Sequence, residues 1–180
     1  MILEIEKLKI PGAFKIILNE HSDSRGSFVK TFNSKIFTEN SLNSEWPESY
    51  FSVSKKHVIR GLHYQEKPYD HYKLVSCLRG QVLDVILDLR KNSVMYKQHI
   101  AFNISSKNQE LIYLPPGIAH GFMAIEENSL TCYKTSSIYS PKHDKGVHWN
   151  SIGFDWPVDN PITSVRDSEF ISLQDYVGDF

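Results

Sequence analysis

From Phe14 to Trp149 the chain is written in short apolar or alternating runs, each closed by turn residues. Period-two alternation sends successive side chains to opposite faces, so such runs read as strands rather than helices. The predicted strands are Phe14–Leu18, Ser27–Phe32, Tyr50–Ser54, His57–His63, Lys73–Leu78, Gln81–Leu89, Lys97–Asn103, Glu110–Leu114, His120–Ala124, Leu130–Tyr139 and Gly146–Trp149. Arg79-Gly80 reads as a tight turn that folds Gln81–Leu89 back onto Lys73–Leu78. Pro115-Pro116-Gly117 breaks the chain between two strands. Only Ser34–Glu39 and Glu169–Gln174 suggest helix, and both are short. Aromatic residues make up 12% of the chain, a bias toward strands. The expected fold class is all-β, an antiparallel sandwich or barrel.

A length of 180 residues suits one domain, expected over 1–180, with a sizeable core. Composition is even throughout, with no linker or repeat. Lys plus Arg number 20 and Asp plus Glu 21, so the net charge is -1. That balance excludes a strongly electrostatic nucleic-acid binder. No apolar run approaches the ~20 residues that cross a bilayer, so no membrane partner is expected. The opening MILEIEKLKIPG alternates apolar with charged residues, unlike a signal or transit peptide, and the expected compartment is the cytoplasm. Cys77 and Cys132 each lie in an apolar stretch and read as buried thiols.

Two of the 8 histidines stand in unusual company. His63 lies in Arg60-Gly61-Leu62-His63-Tyr64-Gln65, at a strand end. His120 follows the rigid turn Pro115-Pro116-Gly117. A lone strand histidine is ordinarily a packing or surface residue, but both segments are rich in polar groups and glycine. The spacing PxGxxH resembles the second motif of the cupin superfamily, whose members are small double-stranded β-barrels. A metal-binding cupin also needs two histidines one residue apart. Here Gly61 to Gly80 supplies His63 and His71 but no such pair, so no metal is expected.

Longer stretches follow one another in order: Ser52-Val53-Ser54, IRGLHYQ (Ile59–Gln65), KLVSCLRGQVLDVILDLRKNS (Lys73–Ser93), YLPPGIAHGF (Tyr113–Phe122), YKTSSIYSP (Tyr133–Pro141) and VHWNSIGFDWP (Val147–Pro157). Together they resemble the deoxysugar 3,5-epimerase family, typified by dTDP-4-dehydrorhamnose 3,5-epimerase, over Phe14 to Asp167. The resemblance implies a cupin-like double-stranded β-helix (jelly-roll) barrel with short peripheral helices. It implies a nucleotide-diphosphate sugar substrate, no cofactor, a homodimer, and a place in deoxysugar biosynthesis for surface polysaccharide.

The implied chemistry suits the residues. A sugar with a ketone at carbon 4 has acidic protons at carbons 3 and 5. Removing one gives an enolate, and returning a proton on the opposite face inverts the centre. The resemblance makes His63 the base, Asp167 its carboxylate partner, Tyr133 the acid, and Lys73 a cation near the phenol and the enolate oxygen. Arg60 and His120 match groups that hold the diphosphate or position the sugar. Tyr139 matches an aromatic that stacks on the base. Arg25 and Phe28 match a segment that reaches the partner subunit's site. Gln65 and Arg166 are expected to meet substrate, and Asp84 to lie near the catalytic histidine. As a polar group in an apolar strand, Asp84 must in any case be paired.

Two positions depart from the rhamnose-pathway pattern. Lys30 stands where an acidic residue is usual, and Glu48-Ser49-Tyr50 where Asn and Gln are common. These bear on nucleotide (dTDP, CDP or GDP), sugar (hexose or heptose) and regiochemistry. A C3-only epimerase, a 3,4-ketoisomerase, a metal cupin and a non-catalytic sugar-nucleotide binder remain as alternatives on sequence alone.

Overall fold

The computed structural model describes residues 2–178 and 180. Among them the strands are β1 (Ile2–Lys7), β2 (Phe14–Leu18), β3 (Glu20–Asp23), β4 (Gly26–Val29), β5 (Glu48–Ser54), β6 (Ile59–Gln65), β7 (Lys73–Arg79), β8 (Gln81–Asp88), β9 (His99–Ser105), β10 (Glu110–Leu114), β11 (Ile118–Ala124), β12 (Ser129–Thr135) and β13 (Asp144–Gly146). The helices are α1 (Ser34–Glu39) and α2 (Val165–Ser168). A six-stranded sheet runs β1-β2-β10-β7-β12-β5, and a five-stranded sheet runs β13-β6-β11-β8-β9. Strands β3 and β4 form a separate hairpin. All pairings between these strands are antiparallel, and the two large sheets face each other as a jelly roll.

Three apolar clusters hold the layers together. Val75, Val82, Ile86, Ile112 and Phe122 fill the space between the sheets. Val85, Leu87, Ala119 and Met123 point from the other face of the five-stranded sheet onto Trp156 and Tyr176 of the C-terminal segment. Leu74, Leu111 and Tyr113 leave the six-stranded sheet toward Phe37 of α1, a helix that Asn33 caps at the Ile36 N–H. With both faces covered, central strands lose the clean alternation of a half-exposed strand. Every residue of β11 is buried for this reason.

Most predicted strands are present within a few residues, and four expectations are corrected. Strands β7 and β8 do not pair as a hairpin: β7 pairs with β10 and β12, and β8 with β11 and β9. Gly80, with φ +76°, carries the chain from one sheet to the other, where a Cβ would lie 2.6 Å from Ser129 Oγ. The second helix is Val165–Ser168, not Glu169–Gln174: Ser164 caps it, and Ile171 instead bridges to Val147. The strand expected to reach Tyr139 ends at Thr135. Cys77 is buried as expected, but Cys132 is only half-buried. Strands β1 and β3 are additions to the predicted set, although the alternation of apolar and charged residues over Ile2–Lys7 is the edge-strand signal of β1.

A bulge between β6 and β11 sets which side chains of β6 face the space between the sheets. His63 sits opposite His120, but Arg60 sits opposite Phe122, so the register slips between them. Gly61 has φ +125°, and a Cβ there would come within 2.5 Å of Gly121 Cα. The two glycines let the strands approach closely and let β6 insert an extra residue.

Candidate active site

One cleft of about 380 Å³ opens between the large sheets. That size suits a small-molecule site. From the five-stranded sheet, Arg60, His63 and His120 line it; from the six-stranded sheet, Tyr50, Lys73 and Tyr133 do. The bulge explains the first set. Strict alternation would put positions 60 and 63 on opposite faces, and the extra residue returns both to the cleft.

His63 Nε2–H donates to Asp167 Oδ1 at 2.9 Å, across 104 positions of chain. Helix α2 presents Asp167, whose other oxygen accepts the Gly61 N–H at 3.0 Å. Burial works to raise the Asp167 pKa, but the hydrogen bond and charge of His63, with Gly61 and Ser164, bring it down to about 2. Desolvation lowers the pKa of His63 below its ordinary value, against the pull of Asp167. The imidazole is therefore neutral at pH 7. With Nε2 protonated toward Asp167, Nδ1 is its basic nitrogen. Phe170 packs edge-on against the ring at 5.5 Å.

Tyr133 faces the cleft from β12. Its ring stacks on Tyr50, directly opposite in the β5–β12 register, with centroids 4.8 Å apart. Burial raises its pKa beyond the ordinary tyrosine range, with Tyr50 and Asp84 adding to the rise and the Ser52 hydroxyl and Arg60 opposing it. Arg60 is thus a cation that favours the phenolate, and Lys73, expected in that role, lines the same cleft. Lys73 is buried and makes no ion pair among the described residues. Burial lowers its pKa to about 8, with Asp144 and Asp84 holding it up.

The remaining predicted residues divide. Asp84 is paired, but with His120: Nε2–H of that ring donates to Asp84 Oδ2 at 2.8 Å, and both side chains are buried. Gln65 lines the cleft with its amide committed to protein: it donates to Tyr69 O and accepts from the Ser140 N–H. Arg60 donates to Ser54 Oγ at 3.0 Å. Arg166 pairs with Asp144 and reaches Asp167 Oδ1 at 3.4 Å. Tyr139 stands half-exposed at the rim, its N–H held by Glu48 Oε2 at 2.6 Å. Arg25 and Phe28 lie on the β3–β4 hairpin, and the fold of one chain does not bring them to this cleft; Arg25 pairs with Asp23 instead. Asp144, Ser52 and His71 also line the cleft, and sequence reasoning does not single them out as site residues. Of these only Ser52 carries a signal, from its place in the SxS motif. Among the described residues no three His, Cys, Asp or Glu side chains group as metal ligands.

The arrangement offers a neutral imidazole on one sheet, a phenol on the other, and a buried ammonium beside them. The model of one protein family, described as dTDP-4-dehydrorhamnose 3,5-epimerase, matches residues 7–175. The chain belongs to this family. A dTDP-4-dehydrorhamnose 3,5-epimerase of Methanothermobacter thermautotrophicus is 39% identical, with 94% of each chain covered. A dTDP-4-dehydrorhamnose 3-epimerase of Streptomyces niveus is 32% identical over 95% of this chain and 84% of its own. The crystal structure of the Bacillus anthracis 3,5-epimerase, solved with TDP and PPi bound, superposes with a TM-score of 0.91 at 32% identity, covering 94% of this chain and 99% of that one. The epimerase fold is thus the cupin-like jelly roll expected from the motifs, and the family is one of isomerases. No helix among the described residues is long and apolar enough to cross a membrane.

Proposed function

We propose that this epimerase inverts carbons 3 and 5 of a dTDP-linked 4-keto-6-deoxy sugar, dTDP-4-dehydro-6-deoxyglucose by default, in cytoplasmic deoxysugar biosynthesis. The observation that carries the reading is the placement of His63 and Tyr133 on different sheets that wall one cleft. Nδ1 of His63 removes the proton next to the ketone, and Asp167 stabilises the imidazolium that forms. The Lys73 ammonium stabilises the charge that develops on the enolate oxygen. Tyr133 returns a proton on the other face. Arg60 and Arg166 supply positive charge for the diphosphate, and Tyr139 a ring for the base. The domain spans 1–180 and acts as a homodimer, in which Arg25 and Phe28 of the β3–β4 hairpin reach the partner's cleft.

Inversion at carbon 3 alone is the second reading. It is favoured by Tyr50, a ring in the cleft from the stretch Glu48-Ser49-Tyr50 where the resemblance has Asn and Gln, and by the similarity to a 3-epimerase. Exchange in heavy water with dTDP-, CDP- and GDP-linked 4-keto-6-deoxy sugars, followed by NMR, decides between them. Deuterium at carbons 3 and 5 supports the main reading, and deuterium at carbon 3 only supports the second. No exchange with any of the panel overturns both.

A further inference from the structure

Each inversion leaves protons in the wrong place. The base ends as an imidazolium and the acid as a phenolate. A further inversion requires a proton to return to Tyr133 and another to leave His63. When two carbons of one bound sugar are inverted in succession, that return occurs with the cleft filled.

We infer that the buried His120–Asp84 pair returns the proton to Tyr133. This rests on the proposed epimerase reaction and assigns a proton-carrying role to a pair that reaction leaves unused. His120 is directly opposite His63 in the β6–β11 register, and its ring centroid lies 6.1 Å from that of Tyr133. It is therefore the imidazole that neighbours both base and acid. Nε2 is held by Asp84 Oδ2. Nδ1 is left as the exchangeable nitrogen of a ring that lines the cleft. Asp84 is fully buried, and its Oδ1 has no hydrogen-bond partner among the described residues. A buried carboxylate with an unused oxygen stabilises a positive ring beside it.

The other groups around the phenol serve less well. Arg60 cannot release a proton at any working pH. The Ser52 hydroxyl, 3.4 Å from the Tyr133 oxygen, is too weak an acid. The Tyr50 ring covers one face of Tyr133 against solvent. Lys73 makes no hydrogen bond to Tyr133 among the described residues. In the step itself, the Nδ1–H bond of the His120 imidazolium breaks. An O–H bond forms on the Tyr133 phenolate, directly or through one water. Neutral His120 then takes up the proton that His63 releases, so charge and atoms balance.

The test uses His120→Gln in the full chain, with enzyme in excess over dTDP-4-dehydro-6-deoxyglucose in heavy water, quenched and read by NMR. The first inversion uses the proton already on Tyr133 and should be slowed far less than the inversions that follow it. Later inversions should slow by about 10²-fold, the scale of a lost proton-transfer group. The singly inverted sugar should then accumulate, and free imidazole should speed the slow phase. If His120→Gln does not fold, Asp84→Asn carries the same test. Equal slowing of both phases without an imidazole response overturns the inference, as does native behaviour in both. A native enzyme that inverts nothing overturns the epimerase reading first. A native enzyme that inverts, beside a variant with no burst, overturns this inference alone.

Discussion

His63 meets Asp167, and His120 meets Asp84, through the same ring nitrogen at nearly the same distance, 2.9 and 2.8 Å. Their surroundings differ. The first ring keeps a quarter of its side chain exposed (26%), and its carboxylate arrives on α2, far along the chain. That carboxylate has further partners in Gly61 and Arg166. The second pair joins neighbouring strands of one sheet, has side chains 3% and 0% exposed, and among the described residues gives the Asp84 side chain no hydrogen-bond partner but His120. A histidine–aspartate bond by itself therefore does not mark a base. Solvent exposure of the ring and support for its carboxylate separate the ring placed to take a proton from carbon from the one placed to pass a proton within the protein.

That contrast can be broken by substitution. His63→Ala should cut exchange at both carbons by about 10²–10⁴-fold, the worth of a positioned general base. Its melting temperature should stay near native, because Asp167 keeps other partners. Deuterium wash-in beside thermal unfolding reads both, and full exchange in the variant would remove His63 from the mechanism. His120→Ala should do the reverse for stability. It strands a fully buried carboxylate, a loss of about 3–5 kcal/mol in denaturant unfolding. Equal stability of the two variants would dissolve the distinction between the pairs.

A backbone change sharpens the same comparison, because the Gly61–Gly121 approach seats both rings. Gly61→Ala should destabilise by about 1–3 kcal/mol, from the strained φ and the clash with Gly121. It should also lower kcat, where a matching change at Gly153, which shares a positive φ of +71° but whose added Cβ meets nothing within 4 Å, should leave kcat unchanged.

The smallest effects are in pH. His63 acts as a base only when neutral. Its pKa lies below the ordinary ~6.5, so kcat/KM should hold at pH 6.5 and fall only as pH drops through the lower folded value. Asp167→Asn removes a group that raises that pKa and should move the acid limb to still lower pH. Lys73 acts only when protonated, so activity should fall as pH rises past about 8. A profile flat to pH 10 would take Lys73 out of the reaction.

The strands are readable because alternation and turn residues are local signals. Pairing is not. Lys73–Arg79 and Gln81–Asp88 look like a hairpin from either side of Arg79-Gly80, and nothing within that stretch says that the chain changes sheets there. Helix α2 escapes detection because four residues leave no period to find. Lys73 and Tyr133 can be singled out only through the motifs around them, and Asp144 and His71 have no such motif. Asp84 is legible as a buried polar group in need of a partner, but the partner is not, since that depends on which strand lies alongside.

The sequence by itself determined the all-β class, the strand inventory, the family and the residue types of the site. These depend on local period, on composition and on ordered motifs. Tertiary structure alone decided which sheet each strand joined, that Asp84 paired with His120, and that Arg60 and His63 share a face. The physical reason is the bulge at Gly61. One extra residue reverses the side-chain parity of a strand, and only two glycine backbones in close contact let it form.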